Sequence, residues 1–333
     1  SYISKKNITS LLNMFRAKQS TSGELTIDKS LEIVKNKVRS FDYYAYRIGM
    51  TYPKHLLPSY FAYHGLYLEL IRSRYISKED SVCKTRLLFW EERLNFIAKQ
   101  VNKKDNIEST DKGKENIFNI ELTKDPLTFL LLETLTKHKF IKMETLYRIL
   151  DYQLFDLDKQ GRVESMEELE IYAENTRSLL IYLNLNLLGI SEQEAYVCAS
   201  HVGRGVGIVD VLKKMPGMIK LDINMMPKSL VTKKVGSYDL VFNRFGDTHE
   251  RAFDIILEMA AYAKKHIEVA RQMKSELPQN KNVHVAFLQC IDSYNWLLEL
   301  EKYNFNIFEP NLKRISGFSV PRQIMQAGKK NEF

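Results

Sequence analysis

Apolar residues along this chain recur mostly at three- and four-residue steps, the spacing that lines one face of an α-helix. Between Ser30 and Arg47, Leu31, Val34, Val38 and Phe41 keep that step, with Ile33 and Tyr44 beside them. Residues 56–76 carry a second apolar-rich helix that opens near Pro58, since a first turn does not need the amide hydrogen that proline lacks. In residues 81–101, Leu87, Trp90, Leu94 and Ile97 form one stripe. Further helices are predicted over 126–138, 141–151, 166–188, 191–213, 247–275 and 281–302. Two stretches break the pattern. Residues 103–125 open with KKDNIESTDKGKEN, polar and mixed in charge, and read as a loop insertion. Residues 214–246 hold Pro216, Gly217, Pro227, Gly236 and Gly246 and read as a long connection with short helical turns. No strand-like alternation persists, and no internal repeat is visible. The pattern predicts an all-α, single-domain bundle over 30–312, with a basic arm over 1–29, a basic tail over 313–333 and flexible ends.

Charge and composition narrow this picture. Of 333 residues, 44% are hydrophobic, enough for one large core. The formal net charge is +8, and its placement matters more than its size. Lys5, Lys6, Arg16 and Lys18 meet no acid within 1–23, and six Lys or Arg meet only Glu309 and Glu332 within 302–333. Each end thus carries +4, and residues 24–301 sum to zero. A neutral core speaks against a nucleic-acid groove, which needs a basic stripe on the folded surface. Basic ends suit a targeting segment, or contact with acidic protein or anionic lipid. The opening, SYISKKNITSLLNMFRAKQSTSG, combines bases, hydroxyls and apolar residues without an acid. It reads either as a mitochondrial presequence or its remnant, with Ser1 left by processing, or as a basic arm. No run of about 18 apolar residues exists to span a membrane. Cys83, Cys198 and Cys290 are widely separated, so they suggest neither zinc nor a disulfide set and fit a reducing compartment.

Six segments, in their order and spacing, carry a resemblance. They are SFDYYAYRIGMTYPKHLLPSYFAYHGLYLEL (40–70), DPLTFLLLETLTKHKFIKMETLYRILDYQLFDLD (125–158), MEELEIYAENTRSLLIYLNLNLLGI (166–190), ASHVGRGVGIVDVLKK (199–214), LDINMMPKSL (221–230) and the stretch from Arg251 to Phe308. Together they resemble the squalene/phytoene synthase family over residues 36–312. The resemblance implies a trans-isoprenyl synthase (terpenoid synthase-like) helical bundle around a central cavity. The phrases YAENTRSLLIYL, ASHVGRGVGIV and NFNIFEPNL are similar to a divergent branch of that family, the mitochondrial complex I assembly factors. That likeness implies an assembly factor or accessory subunit, peripheral on the matrix side of the inner membrane. Its partners would be respiratory complex subunits, with a peripheral contact to anionic inner-membrane lipid.

In active members two helices present aspartates at three- and four-residue steps, so the carboxylates share a face. They hold the magnesium ions that grip a prenyl diphosphate. Here the first motif falls on Ile71, Arg72, Ser73, Arg74 and Tyr75, none of them acidic. The second falls on Asp210, Val211, Leu212, Lys213 and Lys214. One stranded carboxylate among cations cannot assemble the oxygen ligands that Mg²⁺ needs. The expectation is therefore a pseudoenzyme with no catalytic residue, no metal and no cofactor. Arg72, Arg74, Lys213 and Lys214 are expected to pair with Glu69, Asp210 or a partner protein, or else to bind a phosphate or lipid headgroup directly. A register slip of one turn would bring Glu69, Glu79 or Asp80 toward the first motif. Two other functions stay open: an active prenyl transferase with unusual metal ligands, and a carrier. The carrier's cavity, lined by Tyr63, His201, Gly203, Arg204 and Gly207, would hold a lipid or isoprenoid.

The other features read as structure. Gly203, Gly205 and Gly207 lack both the preceding strand and the spacing of a dinucleotide loop, and predict close approach of another helix or a flat ligand. His201 reads as a hydrogen-bonded core histidine. Glu167, Glu168, Glu170 and Glu174 open a helix, where acids favour the dipole, and read as a solvated face. Asp151, Asp156 and Asp158 read as caps or turn residues. Tyr43, Tyr44, Tyr46, Tyr60, Phe61 and Tyr63 read as core and interface packing.

Overall fold

A computed structural model describes residues 25–105, 124–138, 142–221, 223–236, 247–278, 282–314, 319–330 and 333. Every regular element among them is helical. The chain forms two compact units that divide between Leu154 and Phe155. Of the expected loop insertion at 103–125, residues 106–123 lie outside the described ones.

The first unit holds α1 (Ile27–Phe41), α2 (Tyr43–Gly49), α3 (Leu57–Arg74), α4 (Asp80–Asp105) and α5 (Pro126–Lys137); the division falls within α6 (Met143–Asp158). Thr26 caps α1 by accepting from the Lys29 amide at 3.3 Å, and Ser30, Val34 and Val38 form its buried face. The sequence predicts one helix over 30–47, but the chain breaks at Asp42. Its amide donates to the Val38 carbonyl at 2.7 Å, and its carboxylate accepts from the Ala45 amide at 2.9 Å. One residue thus ends α1 and opens α2, because an aspartate satisfies a free helix-start amide better than a further turn would. Pro58 lies in the first turn of α3, as predicted. Tyr60, Phe61, Tyr63, Leu66 and Leu70 bury α3 on all sides against α1, α4 and α5, the pattern of a central helix. Asp125 caps α5, accepting from the Thr128 amide at 2.8 Å, with Pro126 next to it.

The second unit opens with α7 (Met166–Ala173), which runs through a π-helical turn (Glu174–Ser178) into α8 (Leu179–Leu187). Then follow α9 (Gln193–Met218), α10 (Lys228–Lys234), α11 (Asp247–Gln272), α12 (Gln289–Lys302) and α13 (Ser319–Lys330). α9 is the axis, packed by α7 and the π-turn, α8, α11 and α12. Its glycines make that approach physical. A Cβ at Gly203 would lie 2.4 Å from Ser178 Cα, one at Gly207 2.7 Å from Ala173 Cβ, and one at Gly205 2.9 Å from the Ala263 carbonyl oxygen. The triplet therefore serves helix-to-helix contact, on two sides of α9. α9 also runs past its predicted end at 213, through Pro216 to Met218. A proline in the last turn forfeits a single amide bond, and the buried Met215 and Met218 hold the turn. Within the basic tail, α13 forms by burying Val320, Pro321 and Ile324 and packs on α12.

Candidate functional site

Ile71, Arg72, Ser73 and Arg74 form the last turn of α3, and Tyr75 caps it. Because α3 is the central helix of its unit, this turn is mostly enclosed: Ile71, Ser73 and Arg74 are buried. Arg74 Nη1 lies 3.6 Å from Asp80 Oδ1, and the Ser73 hydroxyl donates to the Glu69 carbonyl at 2.7 Å. Arg72 reaches outward, its guanidinium 3.5 Å from the centre of the Phe41 ring and 4.0 Å from Glu69. Glu69 itself is buried. Its Oε1 is 2.5 Å from Lys37 Nζ, and its Oε2 is 2.8 Å from Arg86 Nη2. Burial pushes this carboxyl up, but the charges of Lys37 and Arg86 outweigh burial and hold it below the usual carboxylate range. Of the acids that a one-turn slip would bring near, Glu69 and Asp80 are thus engaged by cations. Tyr63, one face away on α3, is buried with a hydroxyl that makes no hydrogen bond, and burial pushes its phenol well above the ordinary range.

The second motif lies on α9. Asp210 Oδ2 accepts from Arg177 Nε at 3.0 Å and also from Arg177 Nη2, with Lys214 Nζ at 3.9 Å. Burial raises the Asp210 carboxyl, and Arg177, Lys214 and Lys213 together bring it below the ordinary value. Arg177 comes from the π-turn, whose i→i+5 bonding rotates the following side chains around the helix axis. Lys213 turns the other way, to Asp292 Oδ2 of α12 at 2.5 Å and to within 5.7 Å of the Trp296 ring.

A second polar chain crosses α7, α9 and α11. Arg204 Nε lies 3.1 Å from Glu174 Oε2, and its Nη1 3.7 Å from Glu170 Oε2. Glu174 also accepts from the hydroxyls of Tyr182 and, at 2.8 Å, Ser200. His266 Nε2 is 3.3 Å from Glu170 Oε1, and its Nδ1 is 3.0 Å from Nδ1 of His201. One of the two facing nitrogens carries a proton and the other accepts it. Burial, then His266 and Arg204, hold the His201 pKa below that of an ordinary imidazole. The expectation of a solvated acidic face holds for Glu167, which is exposed, and fails for Glu170 and Glu174. Those two are drawn onto α9, whose glycines allow α7 so close.

Of the proposed cavity residues, His201 and Arg204 belong to this chain, while Gly203 and Gly207 abut the π-turn and the end of α7. Sequence reasoning did not single out Lys37, Arg86, Arg177, His266 or Asp292. Only Glu170 and Glu174 carried a signal, a four-residue step facing the three-residue step of His201 and Arg204. Among the described residues, no group of three or more His, Cys, Asp and Glu is placed to hold a metal ion. Glu69, just before the first motif, and Asp210 of the second are neutralised by guanidinium and ammonium groups, chemistry that joins helices and competes with a divalent cation.

Residues 38–318 match the squalene/phytoene synthase family. Complex I assembly factor 6 of Rattus norvegicus is 27% identical over 277 residues, covering 83% of this chain and 75% of that protein. Among solved structures, squalene synthase HpnC from Alicyclobacillus acidocaldarius superposes with a TM-score of 0.64 at 15% identity, over 84% of this chain and 96% of the other. A dehydrosqualene synthase in complex with ligand gives a TM-score of 0.68 at 13% identity, over 91% and 96%. At such identities these structures speak for the fold alone. With that fold, and a match that spans most of its length, the chain belongs to the squalene/phytoene synthase family.

Proposed function

We propose that this chain is a catalytically inactive family member that serves mitochondrial respiratory complex I as an assembly factor or accessory structural subunit. The observation that carries the reading is its similarity, over three quarters of the relative's length, to a protein named for complex I assembly. The charge reversal at the two motif positions supports inactivity: a magnesium ion would have to displace Lys37 and Arg86 from Glu69 and Arg177 from Asp210. The protein works on the matrix side of the inner membrane, against respiratory complex subunits and anionic lipid. No helix among the described residues is long and apolar enough to cross a membrane, so those residues meet the bilayer by surface.

Depleting the chain from its own mitochondria tests the first part. The expected result is loss of mature complex I on native gels, with stalled intermediates; unchanged complex I overturns it. Fixed-stoichiometry co-purification with the mature complex separates subunit from assembly factor. Incubating the pure protein with Mg²⁺ and farnesyl or geranylgeranyl diphosphate tests inactivity. No turnover is expected, and turnover that requires Asp210 would restore the enzyme reading.

A further inference from the structure

The corner where α1 meets α2 exposes aromatic and cationic side chains together. Phe41 is 54% exposed, and Tyr43 and Met50 are each 42% exposed. Tyr43, Tyr46, Arg47 and Met50 follow the three- and four-residue steps of one helix face, while Ala45, Ile48 and Gly49 are buried on the other. The Tyr43 and Tyr46 rings stack at 6.1 Å. Arg39 lies 5.5 Å over Tyr46, and Arg72 lies 3.5 Å over Phe41. Arg47 joins them with an enclosed Nε that has no hydrogen-bond partner. From Ile33 to Leu57 the chain carries Lys35, Lys37, Arg39, Arg47 and Lys54 against a single acid, Asp42, whose carboxylate caps α2. Lys35 and Lys37 are paired with Glu32 and Glu69. Arg72 stands 4.0 Å from Glu69, at the outer limit of an ion pair, and Arg39, Arg47 and Lys54 complete the positive charge of the corner.

We infer that this corner is the docking surface for a carboxylate-rich segment of a partner protein, an inference that rests on the complex I reading above. Stacking on aromatic rings holds the guanidinium planes in place, and a planar fork matches a carboxylate edge in two bonds. Tyrosine and arginine around an apolar centre are the side chains that dominate binding energy at protein interfaces. The margins choose between protein and bilayer. Glu32 stands beside Arg39, and Asp80 beside Arg74, two residues from Arg72; both acids are well exposed. A bilayer presents a continuous anionic plane that would meet those acids as well as the arginines. A peptide segment reaches between them.

The test places the photo-crosslinker benzoylphenylalanine at Tyr43 in the full chain, in its native mitochondria, and maps the captured peptide by mass spectrometry. A peptide rich in Asp and Glu from a respiratory complex subunit is expected. In parallel, Arg39→Glu/Arg72→Gln and Phe41→Ala/Tyr43→Ala are followed on native gels. Co-migration with complex I is expected to fall about tenfold or more, whereas Lys329→Glu/Lys330→Glu on α13 leaves it unchanged. Melting by circular dichroism confirms that each variant folds. Capture of peptides without acids, full co-migration of both corner variants, or loss of binding to phosphatidylglycerol vesicles with complex I association intact would each overturn the inference. If the wild-type chain never co-migrates with complex I but Tyr43 captures an acidic segment of another protein, the surface stands and the complex I reading falls. If co-migration ignores the corner substitutions, the reading stands and the surface falls.

Discussion

Glu69, 4% exposed, and Asp210, 17% exposed, both sit among cations, yet they are neutralised differently. At Glu69, Lys37, Arg72 and Arg86 converge from α1, α3 and α4, with side chains 20–39% exposed. At Asp210 the main partner is Arg177, only 8% exposed and delivered by a π-turn. The first cluster opens to solvent next to the aromatic corner. The second lies among packed helices: Asp210 is 17% and Lys214 37% exposed, but the main cation, Arg177, is enclosed and serves that packing. The difference separates a region that can be read by a partner from one that holds the second unit together. The largest predicted effect tests the second cluster. Arg177→Met leaves Asp210, 17% exposed, with the more distant Lys214 beside it and should cost about 3 kcal/mol in urea unfolding, the lower end for a broken buried pair. Arg177→Met/Asp210→Leu should recover much of that loss, since an apolar pair leaves no uncompensated charge. Glu69→Gln should cost less, about 1–3 kcal/mol, because water reaches its cations. A Glu69→Gln cost exceeding that of Arg177→Met would reverse the comparison.

The same contrast appears along α9. At Gly203 a Cβ would meet backbone at 2.4 Å, so Gly203→Ala must push the π-turn away and should destabilise by about 1–3 kcal/mol or more. At Gly217, on the same helix, a Cβ meets nothing within 4 Å. Gly217→Ala should be neutral or stabilising by up to about 1 kcal/mol, the helix-propensity gain. Thermal unfolding of the pair distinguishes packing against the π-turn from a general intolerance of α9.

Acid titrates the polar chain of the second unit. The His201 pKa lies below the unfolded value of about 6.5, with burial as the main cause. The unfolded chain then binds more protons at this position, so the stability is present above about pH 6.5 and is lost as pH falls through the folded pKa. His138 and His284 shift in the same direction, burial again leading. His201→Asn should therefore flatten part of the loss between pH 7 and 5.5, measured as unfolding midpoints. An undiminished slope would mean that His201 is not proton-linked to folding. Glu69 and Asp210, held below the usual carboxylate range, add a second loss under about pH 4.

Helix periodicity and proline placement made most of the fold legible: Pro58 marks a helix start where the structure has it, and the helix predicted from 126 begins there. The break at Asp42 was hidden because apolar spacing continues through it, and only the cap geometry distinguishes it. The π-turn left no trace, since ENTRS has no composition that demands i→i+5 bonding. Charge reversal at Arg72, Arg74, Lys213 and Lys214 was visible at once. The further cations on Glu69 and Asp210, namely Lys37, Arg86 and Arg177, and the Asp292 partner of Lys213 were not, because tertiary packing brings them in from distant segments. Glu170 and Glu174 were misjudged because acids opening a helix suit its dipole, and the close approach of α9 that enlists them depends on glycines far along the chain.

The smallest expected effect bears most directly on the open cluster. Arg39 is exposed, and its contacts are a 5.5 Å cation–π approach to Tyr46 and a screened attraction to Glu32. Exposed interactions of this kind add little to folding. Arg39→Glu should therefore change stability by no more than about 0.5 kcal/mol in urea unfolding. The same substitution removes a guanidinium from the corner and replaces it with a like charge for an acidic partner, so its effect on association should be large. A stability loss well beyond 0.5 kcal/mol would make Arg39 part of the scaffold. The corner would then resemble the packed Arg177 site, and exposure would no longer separate the surface that binds from the packing that supports it.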